Sequence, residues 1–196
     1  MRRKKSAPMP ITFTMEKYMK QFALSLITLV SSSALADFNL ELSMNQFHGQ
    51  MKSYYENVEF HTNATSLSLK SDVSDKLAIR TAVGYSNDFT KELFKSGSFA
   101  RVNAQYTILN FSDLKAPSGE HLYLAFGFSE HRLWTTAGKL DYFNSLTGIG
   151  FEHYSQTFGW SLEALQNVSL TADKIKDFRK NKFLYTNLSF GLNYKL

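Results

Sequence analysis

The chain has 196 residues, 43% hydrophobic and 20% charged, which suits one folded domain and argues against disorder. Its formal charge is +5, but Arg2, Arg3, Lys4, Lys5, Lys17 and Lys20 all precede residue 37, against Glu16 alone. The remainder is near neutral and no nucleic-acid partner is implied; the absence of cysteine excludes disulfides, thiolate metal sites and a cysteine nucleophile.

The first element is a targeting segment. Lys20 gives a short positive start, Phe22 to Val30 are apolar, and Ala34-Leu35-Ala36 is a small-x-small cleavage pattern. The apolar run is too short for a membrane-spanning helix, which needs about 20 residues. The segment predicts cleavage after Ala36, so that residues 1–36 are an N-terminal extension with a signal peptide and residues 37–196 the folded domain. Met15 and Met19 are alternative starts to Met1.

Everything after Ala36 alternates at period two, the signature of strands. Phe38, Leu40, Leu42 and Met44 alternate with Asn39, Glu41, Ser43 and Asn45. Similar runs follow around Leu67–Val73, Leu77–Tyr85, Ala100–Ile108, Leu122–Phe128, Thr147–Phe151 and Trp160–Val168. In the last, Leu184, Thr186, Leu188, Phe190, Leu192, Tyr194 and Leu196 share one parity, and Tyr185, Asn187, Ser189, Gly191, Asn193 and Lys195 the other. That predicts about eight strands of roughly ten residues, the length of a tilted membrane-crossing strand. Very short connectors at residues 74–76 and 155–159, and a somewhat longer one at 112–120 with Pro117-Ser118-Gly119 as its turn, alternate with long stretches at 48–63, 87–98, 134–142 and 171–181. This predicts periplasmic turns on one side and four external loops on the other.

A soluble barrel would alternate too, but its non-core face would be rich in charge. Here that face is mostly Ser, Gly, Asn, Ala and Thr, which suits a crowded barrel interior. The apolar face carries almost no charge, as lipid demands. An open sheet would leave edge groups unpaired in hydrocarbon. Aromatic side chains predict two interfacial belts: Phe38, Phe111, Trp160 and Tyr194 on the periplasmic side, and Phe47, Tyr85, Phe99, Phe128 and Phe183 on the outer side. The fold class read from the sequence is therefore all-β, an eight-stranded antiparallel up-and-down transmembrane β-barrel behind a cleavable signal peptide.

In these features residues 37–196 resemble the small eight-stranded bacterial outer-membrane barrels of the OmpA/OmpX type. Leu188-Ser-Phe-Gly-Leu-Asn-Tyr-Lys-Leu196 resembles the family's C-terminal insertion signal, carried here by Phe190, Leu192, Tyr194 and Leu196. The resemblance implies recognition by the barrel-assembly machinery and location in the bacterial outer membrane. Contact with outer-membrane lipid and lipopolysaccharide follows from it, and a monomer is expected. The family's usual terminal residue is Phe or Trp, so Leu196 departs from the pattern.

Glu41, Lys70, Arg80, Glu152 and Glu163 all fall in the inward parity and in the periplasmic half. Buried charges must be paired, so Lys70 and Arg80 are expected to pair with the three glutamates. No cofactor or metal is implied. His48 and His61, with Glu56 and Glu59 between them, match the spacing of no helix or strand pair. Ser129 and His131 share a strand face, where a hydroxyl–imidazole contact is the one hint of an enzyme. Lys174, Lys176, Arg179, Lys180 and Lys182 make the last long connector basic, suited either to lipopolysaccharide phosphates or simply to water. Four functions stay open: a non-enzymatic surface or envelope protein, a lipid-modifying enzyme, a narrow channel, and a soluble lipid-binding barrel. Strands extending past the membrane would favour the first, and a deep pocket at Ser129 and His131 the second.

Overall fold

A computed structural model describes residues 38–52, 57–89, 94–111, 119–136, 138–172 and 182–196. The signal-peptide residues Ala34 and Ala36, and the basic connector through Lys180, lie outside them. Eight strands form in chain order: β1 Phe38–Lys52, β2 Asn57–Ser74, β3 Leu77–Phe89, β4 Phe94–Asn110, β5 Gly119–Thr135, β6 Gly138–Tyr154, β7 Phe158–Ala172 and β8 Lys182–Lys195. Each pairs antiparallel with its sequence neighbours, and β1 pairs with β8, so the sheet closes on itself. Closure leaves no edge strand.

The register fixes the shape. A row of paired residues from Asn39 passes through Lys70, Arg80, Asn103, Gly127, Leu146, Asn167 and Tyr185, and returns to β1 at Gly49. The stagger is therefore ten residues, from Asn39 to Gly49. Set against strand spacing and rise, that gives a tilt of about 40° and a climb of roughly 2.5 Å per residue along the axis.

The strands are 13–18 residues long, longer than the sequence alternation predicted. They run into the stretches read as long loops. β1 and β2 leave only residues 53–56 between them, β3 and β4 only 90–93, and β5 and β6 only 136–137. The expected contrast between short turns and long external loops is thus carried mainly by strand extensions. At the β5–β6 turn, Gly138 has φ +136°, a conformation that favours glycine.

The reason is a reversal of the two faces. In the lower part of the barrel the outward residues are apolar: Leu40, Leu42 and Met44 on β1, Leu67 and Leu69 on β2, Leu124, Phe126 and Phe128 on β5, and Leu188, Phe190, Leu192 and Tyr194 on β8. The inward residues there are mostly polar, with a small apolar cluster of Tyr123, Ala125, Leu146 and Leu165 among them. Further up, β1 turns Gln46, His48 and Gln50 outward and Phe47 inward. The outward apolar band spans roughly ten residues of climb, or about 25 Å, the height of the lipid-facing band of outer-membrane barrels. Above it the wall is built like that of a soluble barrel. An apolar exterior around a polar, ion-paired interior makes the lower part a membrane-spanning barrel.

Two aromatic assignments are corrected. Phe47 and Phe99 are 5% and 6% exposed and point into the lumen, so they belong to no interfacial belt. Both lie where the faces reverse. Tyr85 and Phe128 do face outward near the upper limit of the band, and Phe158, Trp160 and Tyr194 cluster at the lower limit.

Candidate functional site

The lumen is filled in three layers. The lowest holds charge. Lys70 Nζ lies 2.5 Å from Glu152 Oε2, which also meets His121 Nε2 at 3.1 Å. Asn193 Nδ2 donates to Glu152 Oε1 at 2.9 Å. Arg80 pairs with Glu41 and, through Nη1, with Glu163 Oε2 at 3.2 Å. Arg101 Nη2 reaches the same Glu163 oxygen at 3.0 Å. Ser161 Oγ donates to Glu41 Oε2 at 3.0 Å, and Tyr123 OH to Glu163 Oε1 at 3.4 Å. Three cations thus face three carboxylates, all at most 8% exposed. Such a balance is what lets charge be buried at all.

Glycine makes room for this layer. A Cβ on Gly191 would stand 2.5 Å from the Glu41 carboxyl carbon. On Gly150 it would run into the ring of Tyr123.

The five residues named from parity are all inside, and the structure joins them as Lys70 with Glu152 and Arg80 with Glu41 and Glu163. Sequence reasoning missed two members, Arg101 and His121. Arg101 shares the parity of Asn103 and Gln105, so its orientation was legible. His121 precedes the first apolar residue of its strand and was left outside it.

The middle layer is neutral and mostly polar, beside the buried Leu146 and Leu165. Ser43 and Ser66 are hydrogen-bonded at 2.9 Å. Asn45 Nδ2 donates to Ser66 Oγ at 2.8 Å, and Asn187 Nδ2 to Asn45 Oδ1 at 3.2 Å. Ser129 Oγ donates to Asn167 Oδ1 at 3.1 Å.

The top layer is an apolar plug of Phe47, Phe60, Phe94, Phe99, Leu133, Leu140, Tyr142 and Tyr185. Phe47 and Phe99 meet edge to face at 5.3 Å, and His131 stacks on Phe99 at the same separation. The Tyr185 hydroxyl contacts His131 Nε2 and also lies 3.3 Å from Ser129 Oγ. Ser129 and His131 share the inward face, and Tyr185 stands between their polar atoms. The cavity beside them is about 20 Å³, room for about one water molecule.

No family model matches the chain, and no curated protein does. Among solved structures, the N-terminal β-barrel domain of Pseudomonas aeruginosa OprF is 14% identical, covering 79% of this chain and 97% of its own, with a TM-score of 0.49. Neisserial surface protein A is 13% identical over 80% of this chain and 97% of its own, with a TM-score of 0.48. Ail, the attachment invasion locus protein of Yersinia pestis, is 11% identical over 81% and 98%, with a TM-score of 0.42. The assignment of the fold rests on the strand ladder itself.

Outside the barrel, above the apolar band, lie two polar patches. On β5 and β6, Arg132 Nε meets Asp141 Oδ1 at 2.9 Å and Lys139 Nζ meets Asp141 Oδ2 at 2.7 Å. On β1 and β2, Gln50 Nε2 donates to Glu59 Oε1 at 3.0 Å, next to His48 and His61. The register sets His48 directly opposite His61, so these two histidines are a cross-strand pair, contrary to the reading of their spacing. A hairpin between them hides that relation from any local pattern.

Proposed function

We propose that the chain is a monomeric, non-enzymatic protein of the bacterial outer membrane, which acts at the cell surface through its upper strand ends and external connectors. One observation carries this reading: the strands continue beyond the apolar band with polar outward faces, over a lumen closed by charge below and aromatics above. Arg80 crosses the charged layer to both Glu41 and Glu163, which supports a plugged lumen over a conducting one. The upper wall is instead a rigid, water-facing surface of the kind suited to contact with ligands, lipopolysaccharide or another cell.

Outer-membrane lipid and lipopolysaccharide are the natural surroundings of such a wall. Phe190, Leu192 and Tyr194 face outward on β8 and Leu196 follows it exposed, as a strand read by the barrel-assembly machinery would present them. A lipid-modifying enzyme is the competing reading, resting on Ser129, Tyr185 and His131. The cavity beside them has no space for an acyl chain.

Planar-bilayer recording of the purified protein tests the proposal. The expected result is no steady conductance. A stable open level would favour a channel, and hydrolysis of phospholipid or lipid A lost in Ser129→Ala would favour the enzyme.

A further inference from the structure

The geometry of His48 and His61 points to a site for a divalent transition-metal ion of the tetragonal class, copper(II) above all, on the outer wall of the barrel. The two residues pair directly across β1 and β2, and both side chains stand on the exposed face. Opposed residues on one face of an antiparallel pair hold their Cβ atoms about 5 Å apart, so the backbone brings the rings together before any ion arrives. The ring centroids are 4.1 Å apart, with the planes tilted by 46°.

The contact is poorly suited to a hydrogen bond. His48 Nδ1 lies 2.9 Å from His61 Nδ1 and 3.0 Å from His61 Nε2. Being nearly equidistant from both ring nitrogens, it lies along the lone-pair direction of neither. A linear N–H···N bond uses one nitrogen and its lone-pair direction. The rings are near enough to share one ion once each turns a nitrogen lone pair toward it. Two imidazole nitrogens at 2.0–2.1 Å from one metal stand about 2.9 Å apart at a 90° angle and about 3.3 Å apart at the tetrahedral angle. The observed separation falls at the 90° end, the angle of square-planar and tetragonal sites. Imidazole suits copper(II), and copper(II) heads the affinity order of the divalent series.

The surroundings agree in charge. Gln46 and Asn63 flank the pair on one side, and the hydrogen-bonded Gln50 and Glu59 on the other. Thr186 is the β8 residue opposite His48. The Glu59 carboxylate lowers the cost of placing a dication there, and none of these neighbours is cationic. Among the described residues no third histidine or carboxylate joins the pair. The pair lies beyond Met44, the last apolar outward residue of β1, where external solution reaches it.

Copper(II) titrated into the untagged full-length protein in detergent micelles tests this, read by pulsed electron paramagnetic resonance. The expected result is one copper per chain with two imidazole nitrogens. His48→Ala and His61→Ala should each leave one imidazole and weaken binding at least about tenfold, since a second ligand fixed on the same sheet acts at high effective concentration. His153→Ala, at the opposite end of the barrel, should bind like the parent. Both substituted positions are exposed, and the mobility of unboiled samples on electrophoresis checks that the variants fold. A single coordinated imidazole in the parent protein, or unchanged affinity in folded His48→Ala, would overturn the assignment.

Discussion

Arg80 and Glu163 stand 3.2 Å apart although their strands, β3 and β7, lie on opposite walls of the eight-strand ring. One guanidinium therefore crosses the lumen and ties both walls together. Glu41 and Arg101 join the same cluster from β1 and β4.

Removing that guanidinium leaves two buried carboxylates underpaired. Arg80→Met should destabilise the barrel by about 3–5 kcal/mol. Pairwise neutralisation by Lys70→Met with Glu152→Gln should cost much less, because no charge is stranded. Denaturant unfolding in micelles, followed by the fluorescence of Trp134 and Trp160, measures both.

The reversal of the faces predicts a position-dependent cost for outward charge. Phe126→Arg, in the middle of the apolar band, should cost about 2–4 kcal/mol, and Gln46→Arg, above it, about 0–1 kcal/mol. Unfolding in lipid vesicles compares them. Equal costs would mean that the band is misplaced.

Glycine at 191 is required by the Glu41 carboxylate behind it. Gly191→Ala forces that side chain to move within its ion pair, for an expected loss of about 1–3 kcal/mol. In Glu41→Ala the same substitution should cost little, and a double-mutant cycle reads the difference.

The C-terminal residue governs assembly more than stability. Leu196→Phe should raise the rate of insertion by assembly machinery in reconstituted vesicles, while equilibrium unfolding barely changes. Tyr194→Ala should slow insertion.

Alternation at period two made the orientation of Glu41, Lys70, Arg80, Glu152 and Glu163 legible, because each follows an apolar residue of the opposite parity. It failed where the faces exchange character. Phe47 follows Met44 and Gln46 on β1, and apolar residues change parity there, so a continuous strand reads as the start of a loop. Phe60, Leu133, Leu140 and Tyr142 were lost in the same way, and with them the plug. Arg101 carried the right parity but lies higher than the other charges, between the apolar Ala100 and Val102. The meeting of His48 with His61 depends on the register across a hairpin, which no spacing along the chain encodes.

A closed barrel embedded in a membrane resists unfolding by detergent until it is heated. Cell fractionation followed by electrophoresis of boiled and unboiled samples tests it most directly. Recovery in the outer-membrane fraction and faster migration of the unboiled protein are expected. Recovery in the soluble periplasm, with one mobility regardless of heating, would contradict it.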